Sequence, residues 1–149
     1  MYSRIIVAID GSDLSTKALR HGLALAEKLG SAVFAVIVTE PSIIVAPGAE
    51  MMMVDTSPII ADLEKAKAES SKGILNDATK VAAEMGGTIT GIHVANSTPA
   101  DGILAAAKEN KADLVVMGSH GRRGLGRLLL GSQAAEVLAH AEIPVLIVK

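Results

Sequence analysis

Four short aliphatic runs, Ile5–Ile9, Val33–Val38, Leu114–Met117 and Val145–Val148, constrain most strongly what this chain can fold into. Ile, Val, Leu, Ala and Met fill them almost completely, with the one aromatic Phe34 among them. Runs of this kind read as strands covered on both faces, the pattern of a parallel sheet with helices above and below. A fifth stretch, Thr88–Ala95, alternates more and carries His93, which places it nearer a sheet edge. Helical spacing fills the intervals. Leu14 to Leu29 puts Ala18, Leu19, Leu23, Ala26 and Leu29 on one stripe, closed by Gly30. Ile59 to Met85 repeats Leu63, Ala66, Ile74, Val81 and Met85 and ends at Gly86-Gly87. Pro99 opens a short helix to about Lys108, and Ser132 begins a last one to about Ala141 with Val137 and Leu138 inward.

The order βαβαβαβαβ implies an α/β fold: one doubly wound five-stranded parallel sheet with right-handed crossovers and helices on both faces. The most apolar strands belong at the centre. Pro144 before the last run suits an edge. These cues give the order 3-2-1-4-5, with strands one and four adjacent at the point where chain direction across the sheet reverses. Ligands of such sheets bind at the carboxyl ends of those two strands.

At 149 residues, residues 1–149 are expected to form a single domain. Tyr2 and Phe34 are the only aromatic residues, so the core must be aliphatic. The formal net charge of -2 argues against nucleic acid or an anionic membrane as a partner. With no cysteine, disulfides, thiolate catalysis and zinc–cysteine sites are excluded. MYSRIIVAID does not read as a signal peptide, and the longest apolar run, Ala32 to Val38, is far shorter than the roughly 20 residues of a membrane span. The expected location is the cytoplasm. The variable connection of residues 41–58 shows no clear periodicity. It reads as a loop packing its Ile43-Ile44-Val45 and Met51-Met52-Met53-Val54 locally, as a flap over a ligand, or as a partner surface.

Two loops converge at the expected switch point. Asp10-Gly11-Ser12-Asp13 follows the first strand, and MGSHGRRGLGRLLLGS, residues 117–132, follows the fourth. In the second, Gly118, Gly121, Gly124 and Gly126 permit positive φ and close approach of a ligand. Successive backbone N–H groups there can form an anion-binding concavity. Gly131-Ser132 opens a helix whose N-terminus favours phosphate. The Ser132 hydroxyl can donate to a phosphate oxygen or ligate a bound cation such as Mg2+. Arg122, Arg123 and Arg127 either add positive charge at the phosphate or form a solvated rim. The plainer alternative is a bare turn with Ser132 as an ordinary N-cap. Neither a Walker motif nor the dinucleotide fingerprint is present. Asp10, at the end of a central strand, can accept hydrogen bonds from ribose hydroxyls, or it can cap the first helix or its turn. Among the histidines, His120 lies in the glycine loop and can touch ligand. His21, His93 and His140 show no metal-ligand spacing. Lys65, Lys67 and Lys72 with Glu64 and Glu69 read as a solvated helix face.

Gly118-Ser-His-Gly121, nine residues, then Gly131-Ser132 resembles the G-2x-G-9x-G-(S/T) pattern of the nucleotide-binding branch of the universal stress protein family. RIIVAIDGSDLSTKAL resembles the family's opening, and TPADGILAAAKENKADLVVMG its third helix and fourth strand. The resemblance implies an adenine nucleotide, ATP or AMP, held without strong catalysis. By position, Asp10 matches the ribose or adenine contact, and Val38 the residue whose backbone meets adenine. Gly118 and Gly121, with Met117 beside them, match the ribose and α-phosphate side. Gly131, Ser132 and the amide of Gln133 match the phosphate cradle. Ala8 stands where some members carry proline, and Ile37 stands where many carry histidine before the valine. The resemblance further implies a homodimer paired through Val145–Val148. The readings set beside a regulatory nucleotide-binding module are a slow ATPase on the same fold, a flavin module and a dimeric scaffold without ligand. The first lacks a residue placed to orient water, the second lacks stacking aromatics, and the intact glycine–serine pattern argues against the third.

Overall fold

A computed structural model describes residues 1–44, 55–121 and 129–149. Their order is β1 (Arg4–Ala8), α1 (Asp13–Leu29), β2 (Ala32–Thr39), α2 (Ser57–Glu84), β3 (Thr90–Ala95), α3 (Pro99–Glu109), β4 (Leu114–Gly118), α4 (Ser132–His140) and β5 (Val145–Val148). The strands form one five-stranded sheet in the order β3-β2-β1-β4-β5, and each neighbouring pair is parallel. This is the arrangement expected from the sequence. Strand bounds differ by a residue or two; β3 starts at Thr90 rather than Thr88.

Alternation along the central strands builds two cores, one on each face. Ile5, Val7, Val33, Ala35, Leu114 and Val116 meet Ala18, Leu19, Leu23 and Ala26 of α1 and Ala78 and Ala82 of α2. Ile6, Ala8, Phe34, Val36, Val115 and Met117 meet Ala100, Ile103, Ala106 and Ala107 of α3 and Ala134 and Val137 of α4. The helices lie close because small residues face the sheet. A Cβ on Gly22 of α1 would fall 2.6 Å from Val7 Cγ2, and one on Gly102 of α3 would fall 2.6 Å from Val38 Cγ1. Asp113 fixes the entry of β1 against the start of β4, accepting the amides of Ser3 (2.7 Å) and Arg4 (3.0 Å).

Four expected inward positions prove exposed. Leu29 is exposed in the last turn of α1, where Gly30 (φ 67) reverses the chain into β2. Leu138 lies one residue, or 100°, round α4 from the buried Val137, on the side away from the sheet. Leu63 and Ala66 are exposed for a different reason. α2 has 28 residues, roughly 42 Å of helix, while the eight residues of β2 span roughly 26 Å. The first half of α2 therefore overhangs the sheet, and its first buried residue is Ser71. α2 also begins at Ser57 with Pro58 in its first turn, so the connection expected to run to residue 58 ends earlier. Residues 45–54 of that connection, including Val45, the three methionines and Val54, lie outside the described residues.

The close approach at Gly22 is testable. Gly22→Val is expected to lower unfolding stability by about 1–3 kcal/mol through overpacking against Val7. It should be read as a lower urea midpoint with an unchanged m value, partly restored by Val7→Ala.

Candidate functional site

At the carboxyl ends of β1, β2 and β4 the sheet opens into a crevice of about 660 Å³. Ala8, Asp10, Val38, Met117, Gly118, His120, Gly121, Gly131, Ser132 and Gln133 all line it. The fold thus gathers in one place residues that stand up to 125 positions apart in sequence (8 to 133). Arg122, Arg123 and Arg127 lie outside the described residues, as do Gly124 and Gly126. Ala8, Val38 and Met117 point to the face covered by α3 and α4.

The loop after β1 is a tight turn. Gly11 sits at φ 81, a left-handed conformation that glycine takes without strain. Asp10 Oδ1 accepts the Ser12 amide at 2.9 Å, and Ser12 caps α1 by accepting the Ser15 amide on its hydroxyl at 3.2 Å. Asp10 therefore holds the turn, while the helix cap is Ser12. The second oxygen of Asp10, Oδ2, reaches towards the other loop: a Cβ on Gly121 would lie 2.9 Å from it.

The second loop departs from one expectation. Among the described residues, the glycines with positive φ are Gly11, Gly30 and Gly86; Gly118, Gly121 and Gly131 are not among them. They are glycines because other parts of the chain come close. A Cβ on Gly118 would meet Leu14 Cγ at 2.9 Å, and one on Gly131 would meet the Ser119 carbonyl at 3.0 Å. The loop is cinched at its base, where the Gly131 amide donates to the Ser119 carbonyl at 2.7 Å. The Ser119 amide in turn donates to the Val148 carbonyl at 2.8 Å. His120 lines the crevice with its Nδ1 3.2 Å from the Ser119 hydroxyl.

Gly131, rather than Ser132, is the N-cap of α4, and it brings no side chain to the first amides. Those amides have no partner within the helix, and the helix dipole adds positive potential. A helix start of this kind accepts an anion. Ser132, the first helical residue, adds a hydroxyl at the same mouth. Gln133 also braces the site from within, because its Oε1 accepts the Ala100 amide at 3.1 Å and so ties the start of α4 to the start of α3. Among the described residues no group of three or more His, Cys, Asp or Glu is placed to hold a metal ion.

One wall was not expected. Lys67, Ser70, Ser71 and Ile74 of α2 line the crevice, with Thr39 and Glu40 at the end of β2 and Pro99 and Ile103 of α3. Glu64 and Lys67 are not a plain solvated face. Their side chains are 29 and 34% exposed and pair at 3.5 Å. Hydrogen bonding from Ser42 holds the Glu64 carboxyl below its ordinary range. The sequence signal for this wall was the length of the helical pattern, which outruns the strands it packs on. Charge spacing on α2 carried no such information.

Residues 1–149, the whole chain, match the model of the universal stress protein family. The chain belongs to the universal stress protein family. A universal stress protein of Methanocaldococcus jannaschii is 36% identical over 149 residues, covering 100% of this chain and 83% of that protein. The universal stress protein UspA from Lactobacillus plantarum shares the fold, with a TM-score of 0.81 and 23% identity over 99% of this chain and 98% of that one. A universal stress protein solved in complex with cAMP has a TM-score of 0.74 and 27% identity over 99 and 97% of the two chains. No helix among the described residues is long and apolar enough to cross a membrane.

The tie between the two helix starts can be measured. Gln133→Ala leaves the part-buried Ala100 amide without its side-chain acceptor and is expected to cost about 1 kcal/mol in chemical denaturation.

Proposed function

We propose that this universal stress protein is a single-domain cytoplasmic module that binds an adenine nucleotide, ATP or AMP, and acts by regulation rather than by turnover. The observation that carries the reading is the convergence, in one crevice at the sheet's switch point, of a carboxylate with an uncapped helix start. Asp10 stands at the end of β1 for the sugar or base, and the first amides of α4 stand at the end of the crevice beyond β4 for the phosphate. β2 and β4 flank β1, so Val38 and the phosphate side are separated by two strand spacings, roughly 10 Å. That separation suits a nucleotide lying across the strand ends, base at Val38 and phosphate at Gly131 to Gln133. The relative in complex with cAMP supports an adenine ring and a phosphate as the ligand's parts. The Ser132 hydroxyl is an oxygen donor at the phosphate end and suits a shared Mg2+, whose other ligands would be phosphate oxygens and water.

Binding without turnover is supported by the part that Asp10 plays in the fold. Asp10 Oδ1 is committed to the Ser12 amide, a role that orients a loop rather than an attacking water. The second reading, a slow ATPase, is decided by the same test. Isothermal calorimetry is expected to show ATP and AMP binding, and both Asp10→Ala and Gly131→Val should weaken it sharply while the fold survives. Unchanged affinity in both variants would sink the site. ATP turnover approaching about 1 per second would establish an enzyme instead.

The assembly proposed is a homodimer through β5. β5 is an edge strand, bonded within the chain to β4, and Val145, Leu146 and Ile147 are only part-covered. An apolar edge of this kind pairs readily with another chain, and self-pairing about a two-fold axis closes it. Light scattering at micromolar concentration is expected to give the mass of two chains; a monomer mass would overturn it.

A further inference from the structure

The chain leaving β2 loses its strand partner at Thr39, which lies opposite Ala95 in β3. The next backbone groups must find other partners or water. The overhanging half of α2 supplies them. Lys67 Nζ donates to the Glu40 carbonyl at 2.6 Å, and Glu64 Oε1 accepts the Ser42 amide at 2.8 Å. Lys67 and Glu64 also pair with each other at 3.5 Å, three residues apart on one face of the helix. Each charge thus balances the other and grips one backbone group. Val38, two residues before Glu40, is pinned from the opposite face by the close approach of Gly102.

We propose that Lys67 and Glu64 form a clamp on the segment after β2 that sets how strictly the crevice selects the base of its nucleotide. This rests on the nucleotide reading above. Base selection needs backbone donors and acceptors near Val38 held to a fraction of an ångström, because a mispaired ring edge leaves buried polar groups unmatched. Across residues 40–44 the described hydrogen bonds that reach the segment come from Lys67 and Glu64 of α2, while Thr39 before it is held from the β3 side by His93 and the Ser97 amide. The clamp is a positioning device. Its ammonium is already balanced by Glu64, and it stands across the crevice from the helix start at Gly131, so it contributes little to phosphate affinity.

The test uses the full chain and calorimetry with AMP, GMP and ATP. The wild type is expected to prefer AMP to GMP. Lys67→Met is expected to weaken AMP roughly tenfold, the worth of one charge-assisted hydrogen bond. GMP should weaken less, so the AMP-over-GMP preference contracts while the ATP-to-AMP ratio stays at its wild-type value. Glu64→Gln should act in the same direction, and Lys67→Arg should restore the preference. A merely structural role would lower the melting temperature and weaken all three ligands equally, which overturns the proposal. So does a wild-type preference retained in Lys67→Met, or a wild type that binds AMP and GMP alike. A wild type that binds neither AMP nor ATP overturns the nucleotide reading itself, and it does so before any variant is made.

Discussion

β1 is hydrogen-bonded to β2 on one side and to β4 on the other, and Ile5, Ile6 and Val7 have no exposed surface. That burial on every side makes β1 the frame for the rest. A strand so placed is aliphatic where it is buried, from Ile5 to Ala8, with its one charged residue, Arg4, exposed at its start, and the two neighbouring ladders satisfy its backbone groups. Once β1 sits between β2 and β4, the crossovers must run outward in opposite directions. The connections leaving β1 and β4 then part above their carboxyl ends and leave a gap between them. The crevice is the consequence of that gap, and the residues just beyond Ala8 and Met117 are bound to line it.

The glycines show how one residue type answers two demands. Gly11 is glycine because the backbone turns through φ 81 on leaving β1. Gly118, Gly121 and Gly131 are glycine because Leu14, Asp10 and the Ser119 carbonyl occupy the space a Cβ would need. Close packing draws the second loop onto the first and brings Asp10 beside Gly121. The crevice's shape is thus set by contacts between protein atoms, and its walls support one another.

Much of this was legible in the sequence because the relevant signals are local. Uninterrupted aliphatic runs mark buried strands, and helix spacing between them marks crossovers; together they give strand order and the location of the crevice. Pro144 and the alternation around His93 mark β5 and β3 as edges. Three kinds of fact were not legible. Leu63 and Ala66 keep helical spacing yet are exposed, since periodicity tells which face is apolar but not whether a sheet lies beneath it. Ser132 reads as an N-cap by type, but Gly131 takes that place because its amide is drawn back to Ser119. Lys67 and Glu64 look like solvated charges in a row of charges, and their backbone partners at Glu40 and Ser42 lie more than twenty residues away in sequence.

The sequence by itself determined the elements, their order in the sheet and the two loops that meet above β1 and β4, because hydrophobic burial and turn chemistry act over a few residues at a time. Only the tertiary structure decided what stands opposite those loops. The overhang of α2 depends on a mismatch between helix length and strand length. The roles of Gly118, Gly121 and Gly131 depend on which atoms stand within about 3 Å of where a Cβ would sit. Both are properties of distance across the fold, and sequence spacing does not encode them.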